Sequence, residues 1–162
     1  MRLAPAVALF SLCLLAACGK SPQEAAVSAA SGGKVDMEQE GDKTTIKTAD
    51  GTMTVATGDS AEIPATFPKD VWLPGRYQVK TAADFGGASI LDLQVEDAVA
   101  AATAAASAGM DEQNWKQTMT MEQDGTHVLM FEKDGRVATY SVRKDEDGPG
   151  SRVAVQVAPR QR

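Results

Sequence analysis

The chain has 162 residues, 43% of them hydrophobic and 23% charged, a length that suits one compact domain plus a tether. Its formal net charge is −6, and its Lys and Arg residues do not cluster, which argues against nucleic acid and against attraction to anionic lipid head groups. One histidine, His127, and two cysteines, Cys13 and Cys18, leave zinc sites and Ser-His or Cys-His catalysis without their usual parts.

Arg2 is followed by an apolar run from Leu3 to Leu15, and the composition turns polar at Gly19-Lys20-Ser21-Pro22-Gln23-Glu24. A positive start, a short apolar middle and small residues before the cut make residues 1–17 a secretory signal peptide. The run is shorter than the roughly 20 apolar residues that span a bilayer. The stretch Leu15-Ala16-Ala17-Cys18 resembles the lipobox of bacterial lipoproteins at all four positions: Leu, a small or aliphatic residue, Ala or Gly, then Cys. That resemblance implies cleavage before Cys18, a thioether diacylglycerol on its sulfur and acylation of the new amino terminus, so the membrane is reached through lipid. Cys13 does not fit, because Leu12 stands where a small residue is required. An ordinary signal peptidase site, and with it simple secretion, is the alternative. Gly19 follows the cysteine in place of the Asp that retains lipoproteins at the inner membrane in enteric bacteria. The implied destination is the cell outer membrane, facing the periplasm.

Cleavage there leaves 145 residues with 15 basic and 22 acidic side chains and no free thiol. A packed core, not disulfides, must then stabilise the fold. Residues 18–33, from the lipidated Cys18 through a stretch rich in Ser, Ala and Gly, read as a flexible tether with a coil span of roughly 20 Å. Ala25–Ala30 could add a helical turn or two, marginal by itself. Residues 34–58 hold two hairpin signals, Asp50-Gly51 and a turn near Glu40-Gly41-Asp42. A two-residue turn at Asp50-Gly51 sets Ile46 opposite Val55, and Val35, Met37, Ile46, Met53 and Val55 share one face. Such a small meander is not stable alone and must lean on something.

Residues 59–76 form a Pro-punctuated connector, with Pro64, Pro68 and Pro74 favouring extended backbone. Phe67, Val71, Trp72 and Leu73 are too apolar for a solvated linker, so the segment should lie along the domain. The string Phe67-Pro68-Lys69-Asp70-Val71-Trp72-Leu73-Pro74 resembles the FPxDVxLP segment of a group of uncharacterised bacterial lipoproteins. Those also carry a lead-in like Gly32–Asp36 and a Thr-rich Asp-Gly hairpin like Thr44–Thr54. The resemblance spans about half of the mature chain and implies no activity.

Residues 77–158 read as an α+β domain, followed by a tail at 159–162. Tyr77–Thr81 and Ser89–Val95 alternate as strands around Gly86-Gly87. Asp97 is placed to cap a helix running to about Ala108 and stopped by Gly109, with Val99, Ala102, Ala106 and Met110 at helical spacing. Turns at Asp124-Gly125 and Asp134-Gly135 set Leu129 opposite Tyr140, Phe131 opposite Ala138 and His127 opposite Val142, and Asp147–Gly150 closes a third hairpin. Val153, Val155 and Val157 alternate along the last strand. The expected fold is α+β: an antiparallel sheet with one Ala-rich helix packed on one face, preceded by a small N-terminal β-meander.

Parity places Trp115, Met119, Met121, Val128, Met130 and Val137 on the sheet face away from the helix. Either the meander or the Phe67–Leu73 segment covers that face as ordinary core, or it stands bare and binds peptides or lipids. The meander's apolar side, which needs a partner, favours covering. His127, beside Glu122 near a turn, reads as a strand-end residue. Asp145 and Asp147 lack the regular acidic spacing of a Ca²⁺ loop, and Gly148-Pro149-Gly150 lacks the strand-to-helix setting of a phosphate loop. No catalytic, metal or cofactor site is expected. The reading is a lipid-anchored, non-catalytic binding or scaffolding module for an envelope protein partner. The alternative is an envelope hydrolase with a carboxylate-based site.

Overall fold

The computed structural model describes residues 35–48, 51–58 and 61–160. Nine strands and one long helix follow in chain order: β1 (Asp36–Glu40), β2 (Lys43–Thr48), β3 (Gly51–Thr57), β4 (Gln78–Phe85), β5 (Ala88–Val95), α1 (Val99–Glu112), β6 (Lys116–Gln123), β7 (Thr126–Lys133), β8 (Arg136–Lys144) and β9 (Ser151–Pro159). They build one antiparallel sheet in the order β1-β2-β3-β4-β5-β9-β8-β7-β6. The chain meanders through β1 to β5, and α1 carries it across one face to the far edge. There β6 to β9 meander back until β9 closes against β5. The protein is thus α+β, with one helix packed on a nine-stranded sheet.

The Asp-Gly pairs at 124–125 and 134–135 act as turn chemistry requires. Asp124 and Gly125 have φ of 51° and 75°, and Asp134 and Gly135 have 49° and 71°, the double positive φ of a type I′ turn. These turns fix the predicted register, with His127, Leu129 and Phe131 opposite Val142, Tyr140 and Ala138. Alternation then turns Leu129, Phe131, Tyr140, Val142, Val153, Val155 and Val157 towards the helix, where all are buried. From α1, Ala102, Ala106, Gly109 and Met110 meet them. Small side chains let the helix axis approach the sheet closely, and Phe131 and Tyr140 pack edge to face at 5.7 Å.

The helix differs from expectation at both ends. Its N-cap is Ala98, which makes no side-chain cap, and it runs through Gly109 to Glu112. Trp72 lies on the interior Gly109, where a Cβ would run into the indole. The true stop is Asn114, at φ 61°. Asn114 N–H donates to Asp111 O at 2.8 Å and Trp115 N–H to Met110 O at 3.0 Å, the paired bonds of a Schellman ending.

Two strand readings also shift. β4 extends to Phe85, and β2 and β3 pair with Ile46 opposite Met53 and Thr48 opposite Gly51. That register differs by two residues from the one expected, which preserves parity, and Gly51 is a strand residue; Ala49 and Asp50 lie outside the described residues. The larger correction concerns the meander. It does not pack on the sheet but prolongs it, β3 pairing edge to edge with β4.

Candidate functional site

The sheet's two faces receive different treatment. On one side lie α1 and the connector, with Phe67 and Val71 buried in the same core as the helix and Ile63, Trp72 and Leu73 packed against it. On the other side no described element packs. Met53, Met119 and Met121 are 37%, 39% and 45% exposed there, and Val128, Met130 and Val137 are half-buried. The register groups these residues into two apolar flanks. Met37, Ile46, Met53 and Phe85 run in a row across β1 to β4. Met119 pairs with Met130, and Met121 with Val128, across β6 and β7. Between the flanks, beside Ile90 and Ala154, Arg152 of β9 donates two hydrogen bonds, at 3.1 and 2.5 Å, to the Asp92 carboxylate.

Trp115 does not belong to this face. It is 2% exposed and lies on the helix side, as does Gln117 two residues on, opposite the buried Phe131. Strand parity counted back from Met119 misplaces it because the bulge between Gln117 and Met119 shifts the alternation by one residue. The meander's Met37, Ile46, Met53 and Val55 lie on the same open face as Met119 and Met130, coplanar with them and not stacked over them.

The connector is held by a cluster around Asp70. Its carboxylate accepts both guanidinium nitrogens of Arg136, at 2.9 and 2.8 Å, and Lys133 Nζ at 2.9 Å. Those bonds hold the Asp70 carboxyl well below the usual carboxylate range, against a smaller opposing effect of burial. The Asp70 carbonyl accepts Trp115 Nε1–H at 2.5 Å, and the Arg136 guanidinium sits 4.9 Å from the centre of the Trp115 ring. One turn further, Tyr140 Oη donates to Trp72 O at 2.5 Å, and burial pushes that phenol far above its ordinary pKa. The segment Phe67–Pro74 is thereby a strap over the core. Its Asp is an ion-pair partner of Arg136 and Lys133.

Other candidates are similarly engaged. Asp84 accepts the hydroxyls of Thr66 and Ser89 and borders an open groove of about 460 Å³ between Glu62–Thr66 and β3–β4. Asp145, 2% exposed, accepts Gln94 Nε2 and the Asp147 amide, which shapes the β8–β9 turn. His127 Nε2 lies 3.9 Å from Glu122 across the β6–β7 ladder. Among the described residues no three His, Cys, Asp or Glu side chains gather as metal donors, and no helix is long and apolar enough to cross a membrane. Cys18, with the whole of residues 1–34, lies outside the described residues.

No family model, curated protein or solved structure matches the chain.

Proposed function

We propose that the chain is a lipid-anchored envelope lipoprotein that acts as a non-catalytic binding module, held at the outer membrane by acyl chains on Cys18. The observation that carries the binding role is the sheet face, with its Met-rich flanks, that no described element covers. A surface of Met, Ile and Val around a charged centre adapts to apolar partners while the Arg152–Asp92 pair gives it polarity. The lipobox-like Leu15–Cys18 and the absence of clustered basic residues support anchoring by lipid, not by charge. The partner class this reading favours is an envelope protein, with no nucleic acid.

The hydrolase alternative gains no support from geometry. A carboxylate pair needs one acid free to protonate and one free to attack or activate water. Asp70, Asp84, Asp92 and Asp145 are instead bound by Arg136, Thr66, Arg152 and Gln94.

The test has two arms. Cells fed an alkyne palmitate should label the wild-type chain in the outer-membrane fraction, and Cys18→Ser should be unlabelled and released; equal labelling of both would refute the anchor. Pulldown from detergent-solubilised envelopes should recover a partner with the wild type and lose it with Met119→Lys/Met130→Lys. Unchanged recovery would refute the open face as the binding surface.

A further inference from the structure

We propose that β6 is the docking edge for a second copy of this chain, the two strands pairing antiparallel about a two-fold axis at Thr120. β6 ends the sheet: β7 pairs with one side of it, and no described strand lies on the other. All eight of its residues are exposed. The hairpin closes on Gln123 opposite Thr126. Inward and outward backbone groups alternate from that pair, so the N–H and C=O of Thr120 and Glu122 point away from β7. The usual edge defences are sparse. Residues 119–123 contain neither proline nor lysine, and the bulge between Gln117 and Met119 touches only one end.

Charge selects the occupant. Self-pairing centred on Thr120 sets Met119 opposite Met121 of the other copy. It also sets Lys116 of each copy opposite Asp124 of the other. Opposite charges meet twice and no like charges face each other, the arrangement that favours cross-strand pairs. β1, at the other end of the sheet, behaves in the contrary way. Its sequence Asp36-Met37-Glu38-Gln39-Glu40, paired with itself about Glu38, sets acid against acid at every charged position. Of the two terminal strands, only β6 is complementary to itself.

The consequence is a surface larger than one chain offers. The dyad stands normal to the sheet, so both open faces look the same way and join, with Met119 and Met121 of both copies at the middle. A strand pair this short buries less than the roughly 1,000 Å² of a stable interface. Association is therefore weak in dilute solution and strengthens where chains are concentrated. The inference rests on β6 alone and stands whether or not Cys18 carries lipid.

The test uses the full chain with a cysteine at the dyad. Hydrogen-bonded partners in an antiparallel pair have Cα atoms about 5.5 Å apart, inside the disulfide range. At high concentration under mild oxidation, Thr120→Cys should give a covalent dimer well above the parent chain's background. Gln156→Cys, exposed on the open face of β9 three strands inward, should give none above that background. Adding Lys116→Glu should lower the Thr120→Cys yield several-fold, and adding Asp124→Asn to that variant, which removes the facing acid and keeps a residue suited to positive φ, should restore much of it. Any of four results would overturn the proposal: equal yields at positions 120 and 156, no dimer at 120, cross-links from 120 to other proteins only, or indifference to Lys116→Glu.

Discussion

The two faces of this sheet are built by the same strands, one residue apart, and they have opposite fates. Leu129, Phe131, Tyr140, Val142, Val153 and Val155 are at most 2% exposed. Their immediate neighbours Val128, Met130, Thr139, Ser141 and Ala154 are half-buried, and Gln156 is exposed. The difference lies in what arrives from elsewhere in the chain. The covered face receives both an Ala-rich helix, which can approach closely, and a strap tied down through Asp70. The other face receives nothing described, and it carries adaptable Met and mixed polar residues where the covered face carries branched and aromatic ones. Burial, not strand identity, sets where stability resides.

Substitutions at adjacent positions break or sharpen this contrast. Phe131→Ala should cost about 3–5 kcal/mol in urea unfolding, because it empties the centre of the covered face. Gly109→Ala should cost about 1–3 kcal/mol, since the new methyl must displace Trp72. If the strap did not lie there, the same change would stabilise a helix interior by up to about 1 kcal/mol, so the sign of the change decides the matter. Asp70→Asn should cost about 1–2 kcal/mol by loosening the strap, less than a fully buried pair would because the carboxylate keeps contact with solvent. The Asp70 pKa is depressed in the folded state, so its stabilisation is complete above the unfolded value near 4 and fades as pH falls below it. The gap between wild type and Asp70→Asn should accordingly narrow in acid; a constant gap would remove the ion pair from the account. Met119→Lys, on the open face one strand from Phe131, should change stability by no more than about 0.5 kcal/mol.

Much of this architecture was legible in the sequence where local chemistry and period agreed. Asp-Gly at 124–125 and 134–135 dictates type I′ turns, which lock β6 to β8 in register and decide which side chains the helix meets. The Ala-rich run with Met110 marks the burying stripe of α1. What could not be read depends on contacts distant in sequence. Gly109 has the residue type of a helix stop, and only the arrival of Trp72 makes it a packing site. Trp115 sits one residue before a strand, so parity was the natural guide, but the bulge between Gln117 and Met119 puts it on the covered side. Asn at the left-handed position, followed by a large apolar residue, was the available signal for the helix ending. The meander's apolar face announced a need for a partner without saying whether that partner lay across a sheet edge or over a face. Both arrangements have the same parity.

The central claim is that one face of the sheet is sealed and the other open, and methionine oxidation measures it directly in the purified full chain. Met110 is 0% exposed beneath the strap, whereas Met53, Met119 and Met121 are 37–45% exposed on the opposite face. Timed peroxide treatment with peptide mass spectrometry should find Met53, Met119 and Met121 oxidising at rates near that of free methionine, and Met110 protected until the protein unfolds. Protection of Met119 and Met121 to the same degree as Met110 would mean that the open face is covered, and would contradict the account.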